Sequence, residues 1–377
     1  MGVDPWGFDV ERQVLARRLR TRRLVLALVR DALLLAFFLA LLAGGSLAVR
    51  DGILSLGMPR WAAIAAYLLV LFAIASALSL PFAYLNGFLW EVRAGLSSRT
   101  LGSWLKDLAK SMGLTAGMVV LAGEVTVGLL LVLPGTWWIA AWGLGLLLSL
   151  VFGALAPILF VPLFYRLRPI QDPALRARFE ALASAAGTPV LGVYQLEASA
   201  KTRRSNAAVM GYGRTRRIVL TDTLLREYAP EEIESVLAHE LAHQKHRDPW
   251  TAFAYGALSS FLVLGIAALG YGSTYPSFGI PVSSDLAGLP LLALYAGIAS
   301  AVLGPLELWA SRRREHSADR FALELTQNPQ AFASTMVKLH DKNLGVAHPR
   351  WIEVWLFYSH PPGRDRVDLA RAFAATR

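Results

Sequence analysis

The 377-residue chain contains no cysteine, so disulfides and thiolate metal ligands are excluded. Any metal must be held by His, Asp or Glu, a donor set that suits a catalytic ion better than a structural one. Charge is also scarce. Only 17% of residues are Asp, Glu, Lys or Arg, against 55% hydrophobic, which excludes an ordinary soluble protein of this length. Internal repeats and low-complexity linkers are missing, so a solenoid or a linker-joined array is not expected. The basic stretches lack interleaved aromatics or a recognition module, and nucleic acid is therefore not an expected partner.

Long apolar runs are abundant instead. Stretches of 18 or more mostly apolar residues read as membrane spans, and about six can be placed, at 24–49, 61–87, 112–133, 137–165, 250–272 and 287–310. Arg30 and Asp31 fall inside the first, where they can pair with each other or mark an approach to the membrane surface. That run follows an arginine-rich tail and is too long for a cleavable signal peptide. Of the 37 Lys and Arg, only Arg50 and Arg60 lie on one side and Arg30 lies within a span; the other 34 share the opposite side. The positive-inside rule makes that side cytoplasmic, so the net charge of +10 reads as a topology signal and a contact with anionic headgroups.

Residues 1–165 are then a tail and four spans, and the amphipathic loop 91–110 is expected to lie along the membrane surface. A first soluble block covers 166–249, with a helix at 174–186 and a strand at 189–196. Segments 206–210 and 217–220 read as a hairpin around Gly211-Tyr-Gly213. A helix follows from Pro230, with Glu231 and Glu232 in its first turn, and runs to about 247. A membrane hairpin occupies 250–310, and 311–377 form a second soluble block that opens with a polar helix. Even numbers of spans separate the tail and both blocks, so all three lie on one side and the blocks can assemble into one domain.

The helix from Pro230 carries His239-Glu-Leu-Ala-His243. Residues four apart are rotated by roughly 40° and rise about 6 Å, so both imidazoles can reach one ion. Glu240 then sits beside the ion, where it can take a proton from an activated water. Ile233, Val236, Leu237 and Leu241 are available to bury the other face. A third ligand must leave one position open. His246 is about 10 Å along the axis from His239 and reads as a polar residue near the helix end. Arg314-Glu-His-Ser-Ala-Asp319 offers Glu315, His316 and Asp319, and the residues alone do not choose between them. Glu315 and Asp319 share a helix face, so one can bind metal while the other supports a ligand histidine.

Five pieces stand in order: Ser205-Asn-Ala-Ala-Val-Met-Gly211, the His239 to His243 run, Arg314 to Asp319, Lys338-Leu-His-Asp-Lys-Asn-Leu-Gly345, and Tyr358-Ser-His-Pro-Pro-Gly-Arg-Asp-Arg366. Together with Leu80-Pro-Phe, Thr100-Leu-Gly and Lys106-Asp upstream, they resemble the type I CAAX prenyl protease family of integral-membrane zinc metalloproteases, over roughly 62–374. The resemblance implies one zinc ion per chain on His239, His243 and Glu315, with Glu240 activating water and Asp319 orienting a ligand histidine. It implies that Asn206 lies on a strand that pairs with the substrate backbone, and that His360 and Arg366 lie near the scissile carbonyl, with His360 stabilising the oxyanion. The family pattern has seven spans, one more than is found in this chain.

The expected fold is an α-helical polytopic membrane protein with about six transmembrane helices and a mainly α zinc-protease domain carrying a small β-sheet. The expected function is a membrane-embedded zinc endopeptidase acting on peptide or membrane-protein substrates at the lipid bilayer. The expected location is a bacterial inner membrane, with both termini and the site on the cytoplasmic side. The alternatives are an HtpX-like quality-control protease and, from a different class, a non-proteolytic transporter or scaffold with a metal site.

Overall fold

In the computed structural model, residues 2–156, 159, 161–211 and 213–376 are described, with only the backbone for Arg214. The first apolar run lies within helix α1 (Val10–Ala40), a π-helical turn at Leu41–Gly45, and α2 (Ser46–Leu54). Arg30 and Asp31 pair with each other inside α1, at 2.9 Å between Arg30 Nε and Asp31 Oδ1. The second run is α3 (Arg60–Tyr84), which continues through a second π-helical turn into α4 (Trp90–Arg93).

The third helix, α5 (Leu101–Val132), corrects one expectation. Residues 101–110 do not form a separate surface segment but are the first turns of this helix. Thr100 caps it, its Oγ1 accepting from the Ser103 N–H, and nothing between 101 and 113 interrupts helical hydrogen bonding. The fourth run forms α6 (Trp137–Leu155) and the short α7 (Val161–Phe164). Positions 157, 158 and 160 of that expected span lie outside the described residues.

Segment 166–249 holds β1 (Leu167–Pro169), α8 (Pro173–Ala185), β2 (Gly192–Leu196), β3 (Ala207–Met210), β4 (Arg217–Thr221) and α9 (Asp222–Glu227). The strand order is β1-β2-β4-β3, with β2 and β4 parallel and the outer pairs antiparallel, so β3 is a sheet edge. In the β3–β4 hairpin, Gly211 has φ of +92°, and a Cβ there would lie 2.6 Å from the Thr215 carbonyl oxygen. Only glycine fits that turn without displacing backbone. Tyr212, named with this hairpin, lies outside the described residues.

Helix α10 (Pro230–Lys245) lies against the sheet and α8. Ile233, Val236, Leu237 and Leu241 join Phe179, Ile218 and Leu220 in one buried cluster. Ala238, on another face, packs with Phe332, Met336 and Val367 of the second block, so α10 is shared by both blocks. The chain then crosses twice, as α11 (Asp248–Thr274) and α12 (Leu289–Thr326), and α12 continues unbroken from apolar residues into the polar turns around Glu315. Helices α13 (Pro329–Asn343), α14 (Trp351–Phe357) and α15 (Gly363–Ala375) complete the second block. Among the described residues six helical stretches are long and apolar enough to cross a membrane. The short sheet and these helices match the expected fold class.

Residues 2–9 form a strap that the sequence did not disclose. Asp4 pairs with His348 at 2.7 Å, Trp6 Nε1 donates to Asp368 at 2.8 Å, and Phe8 is fully buried among residues of α13 and α15. Asp9 N–H and Gln13 Nε2 both donate to the Asp341 carboxylate, at 2.9 Å each. The tail and the second soluble block are therefore in direct contact, on one end of the bundle.

Candidate metal centre

Helix α10 presents His239 and His243 one turn apart, and α12 brings Glu315 against them. Among the described residues, the donor atoms of these three converge to within 4.8 Å of one another. His239 Nε2 lies 3.2 Å from His243 Nε2 and 3.2 Å from Glu315 Oε2. His360 Nε2 reaches the same carboxylate oxygen at 3.3 Å. Even so, Glu315 Oε2 is buried without a hydrogen bond of acceptable geometry. A buried carboxylate oxygen facing imidazole nitrogens in this way fits a cation, and a His-His-Glu set suits a metal that keeps an open coordination position.

The outer nitrogens of both histidines are held by carboxylates. His239 Nδ1 lies 2.8 Å from Asp319 Oδ1, and His243 Nδ1 lies 2.8 Å from Asp248 Oδ2. Asp319 sits one turn beyond Glu315 on α12, so a single helix face supplies both carboxylates to this side of the site. Asp248 arrives differently. Helix α10 ends at Lys245, Arg247 takes a left-handed conformation at φ of +59°, and Asp248 opens α11. That break starts α11 and folds the Asp248 carboxylate back on His243.

Arg366 is buried behind this layer. Its Nε donates to Asp319 Oδ2 at 2.8 Å, its Nη2 donates to Asp319 Oδ1, and Nη2 lies 3.4 Å from His239 Nδ1. The guanidinium therefore sits against Asp319 and the Nδ1 edge of His239. His360 lies beside Glu315, with its side chain 57% exposed and Nδ1 2.8 Å from Ser359 Oγ.

The remaining candidates fall in separate places. Asn206 is exposed at the start of the sheet edge, its N–H donating to Thr221 Oγ1 at 2.9 Å and its carbonyl accepting from the Thr221 N–H at 3.0 Å. His246 packs its ring on Phe321, at 5.4 Å between centroids, away from the cluster. His316 points outward and is exposed. Asp248 was not singled out from the sequence. The available signal was Asp-Pro directly after the motif helix, which starts a new helix and places a carboxylate five residues beyond His243.

Burial shifts the chemistry of the groups that work here. It lowers the basicity of His239, but the hydrogen bond and charge of Asp319, and then Glu315, outweigh it and push the pKa up to about 9. Burial raises the Glu240 carboxyl above its ordinary value, the direction that favours a proton acceptor and donor near neutral pH. Half-buried His340, whose Nδ1 donates to the Met336 carbonyl at 2.9 Å, is pushed down to about 4 by desolvation.

Known proteins place this arrangement. The profile described as peptidase family M48 matches residues 169–374, and the one described as CAAX prenyl protease N-terminal, five membrane helices, matches 11–166. The chain is 31% identical to a CAAX prenyl protease 1 homolog of Arabidopsis thaliana, over 76% of this chain and 68% of that protein. It is 28% identical to the uncharacterized metalloprotease YhfN of Bacillus subtilis, over 89% of this chain and 79% of that protein. The crystal structure of S. mikatae Ste24p shares the fold, with a TM-score of 0.85 over 96% of this chain and 89% of that one at 21% identity. With the peptidase profile spanning both soluble blocks and the helices between them, the chain belongs to peptidase family M48 and is a multi-pass membrane metalloendopeptidase.

Proposed function

We propose that this protein is a zinc endopeptidase whose metal is held by His239, His243 and Glu315, and that it cleaves peptides presented at the bilayer. The observation that carries the reading is the convergence of those three donor groups around a carboxylate oxygen left without a hydrogen bond. Zinc held by these residues would polarise the substrate carbonyl and lower the pKa of a water toward neutrality. Glu240 takes the proton of the attacking water as its oxygen bonds to the carbonyl carbon. It then delivers that proton to the amide nitrogen as the C–N bond breaks. Asp319 and Asp248 hold the two imidazoles by their outer nitrogens, which fixes ring orientation and raises ligand basicity. Arg366 keeps Asp319 ionised and aimed at His239, a positioning role. His360, on the exposed side, donates to the oxyanion.

The substrate is taken as an added strand on the free edge of β3, starting at Asn206. Residues 166–249 and 311–377 are the two halves of the catalytic domain, 250–310 the membrane hairpin between them, and 1–165 the tail and first four spans. The Arg-rich tail and both halves face the cytoplasm of a bacterium, across its inner membrane. The named relatives include CAAX prenyl protease 1 homologs, which supports C-terminal CAAX-type peptides as the substrates to try first.

The deciding experiment uses detergent-purified protein with prenylated and unprenylated CAAX peptides, products being mapped by mass spectrometry. Wild type should cleave and lose activity with a chelator, while Glu240→Gln should retain zinc and lose cleavage. Turnover by the Gln variant at the wild-type rate would overturn the mechanism.

A further inference from the structure

We infer that the seam between the membrane bundle and the catalytic unit carries a binding site for the headgroup of an anionic phospholipid. A cavity of about 520 Å³ opens there. One wall comes from helix ends, with Glu91 in α4, Arg99 just before α5 and Tyr165 just after α7. The other wall is the loop of the catalytic unit that carries Lys201 and Arg204, together with Asn206 and Thr221 at the start of the sheet edge. The level at which the spans end is the level of lipid phosphates.

The charges in this seam do not balance. Arg23 and Arg204 both pair with Glu91. Lys201 and Arg99 both address Asp107, at 2.6 Å and 3.9 Å. Four cations thus share two carboxylates, leaving two positive charges in excess within this group of described residues. The Lys201 side chain is 17% exposed and that of Arg99 23% exposed, so the excess is partly withdrawn from water, an arrangement that an anion in the cavity would stabilise. The backbone beneath is braced. Ser97 and Thr202 form an isolated β-bridge, and the Arg203 N–H donates to the Leu96 carbonyl at 2.9 Å. The cations are therefore held in place before a ligand arrives.

A second cavity, of about 360 Å³, decides what kind of anion fits. It shares Arg99 and Tyr165 with the first and continues along α5 past Trp104, Asp107, Leu108, Ser111 and Phe164. A basic pocket that runs into a groove walled by Trp104, Leu108 and Phe164, with the Asp107 carboxylate paired to Lys201, suits a phosphate ester with acyl chains. Inorganic phosphate or a peptide carboxylate would leave the groove unused.

The full-length protein in detergent is titrated with phosphatidylglycerol and with phosphatidylcholine, bound lipid being counted by native mass spectrometry. Phosphatidylglycerol should be retained at least tenfold more tightly. The double substitution Lys201→Gln, Arg204→Gln should abolish that preference, and Lys201→Arg with Arg204→Lys should keep it. Equal retention of the two lipids by wild type overturns the site, a result that does not depend on any variant folding. An undiminished preference in the Gln pair also overturns it. Displacement of phosphatidylglycerol by inorganic phosphate, or by a free-acid but not an amidated peptide, at similar concentration assigns the pocket to another anion and overturns the lipid. No arm reads peptide cleavage, so failure here is distinct from failure of the proteolytic reading.

Discussion

His243 Nδ1 and the Asp248 carboxylate lie 2.8 Å apart across the break between the motif helix and the first helix of the membrane hairpin. The contact ties a candidate metal ligand to the start of α11, a helix long and apolar enough to cross a membrane. His239 has its own carboxylate, Asp319, at the same distance, so each imidazole is fixed from behind by a different part of the chain.

If Asp248 orients His243, Asp248→Asn should weaken zinc binding by about 10- to 100-fold, the range for loss of an outer carboxylate partner. Chelator competition at fixed pH reads this directly, and Asp248→Glu should recover part of the affinity. A role confined to the helix break would leave zinc affinity unchanged in the Asn variant, because asparagine also starts a helix well.

The metal-free site should behave as a proton store. His239, pushed up to about 9, is protonated at neutral pH, so metal must displace that proton. Zinc affinity of the metal-free protein should rise about tenfold per pH unit below about 9, as far as this one group controls it. The same shift makes His239 stabilise the metal-free fold below its ordinary pKa of 6.5, a contribution lost as pH rises through about 9. Thermal midpoints of chelated protein from pH 6 to 9.5 should therefore fall, and should fall less in Asp319→Asn.

The contrast between what the sequence disclosed and what it concealed follows from the range of the interactions. The four-residue spacing of His239 and His243 and the apolar runs of the six spans are local periodicities, so helix and membrane could be read directly. Asp248 stayed hidden because the turn that returns it to His243 depends on Arg247 at a positive φ, with no Gly or Asn to mark it. Arg366 stood in a recognisable motif, but its direction is set by Asp319, 47 residues earlier. The parallel pairing of β2 with β4 and the docking of Phe8 are contacts between distant segments that leave no periodic trace.

The strap is open to a direct test. Phe8 is fully buried, with ring contacts to His340 and His348 at 5.8 Å and 5.7 Å. A Cβ at Gly363 would lie 2.8 Å from the His340 ring, so the arm carrying His360 presses on the other side of that histidine. Phe8→Ala should cost about 3–5 kcal/mol by leaving a cavity in this core. The expected readout is a lower thermal midpoint together with a lower kcat, while Phe8→Leu should restore most of both. An unchanged midpoint in the Ala variant would show that the strap is not part of the packed core.

The edge of β3 offers the last test. Asn206 accepts from the Thr221 N–H, and the alternation of an antiparallel ladder then turns Ala208 and Met210 inward and leaves the backbone groups of Ala207 and Val209 on the free edge. The Val209 carbonyl lies 3.5 Å from Gln244 Nε2, beside the residue that follows His243, so this edge runs past the metal helix. A substrate strand would take its hydrogen bonds from Ala207 and Val209. Val209→Pro removes the outward N–H without touching the bonds to β4, and proline is tolerated on an edge strand. The expected result is a fall in kcat/KM of about tenfold, the worth of one backbone hydrogen bond, with zinc content unchanged. Ala208→Pro instead removes an inward bond and should lower stability. Equal kcat/KM in Val209→Pro and wild type would mean that the substrate does not pair with this edge.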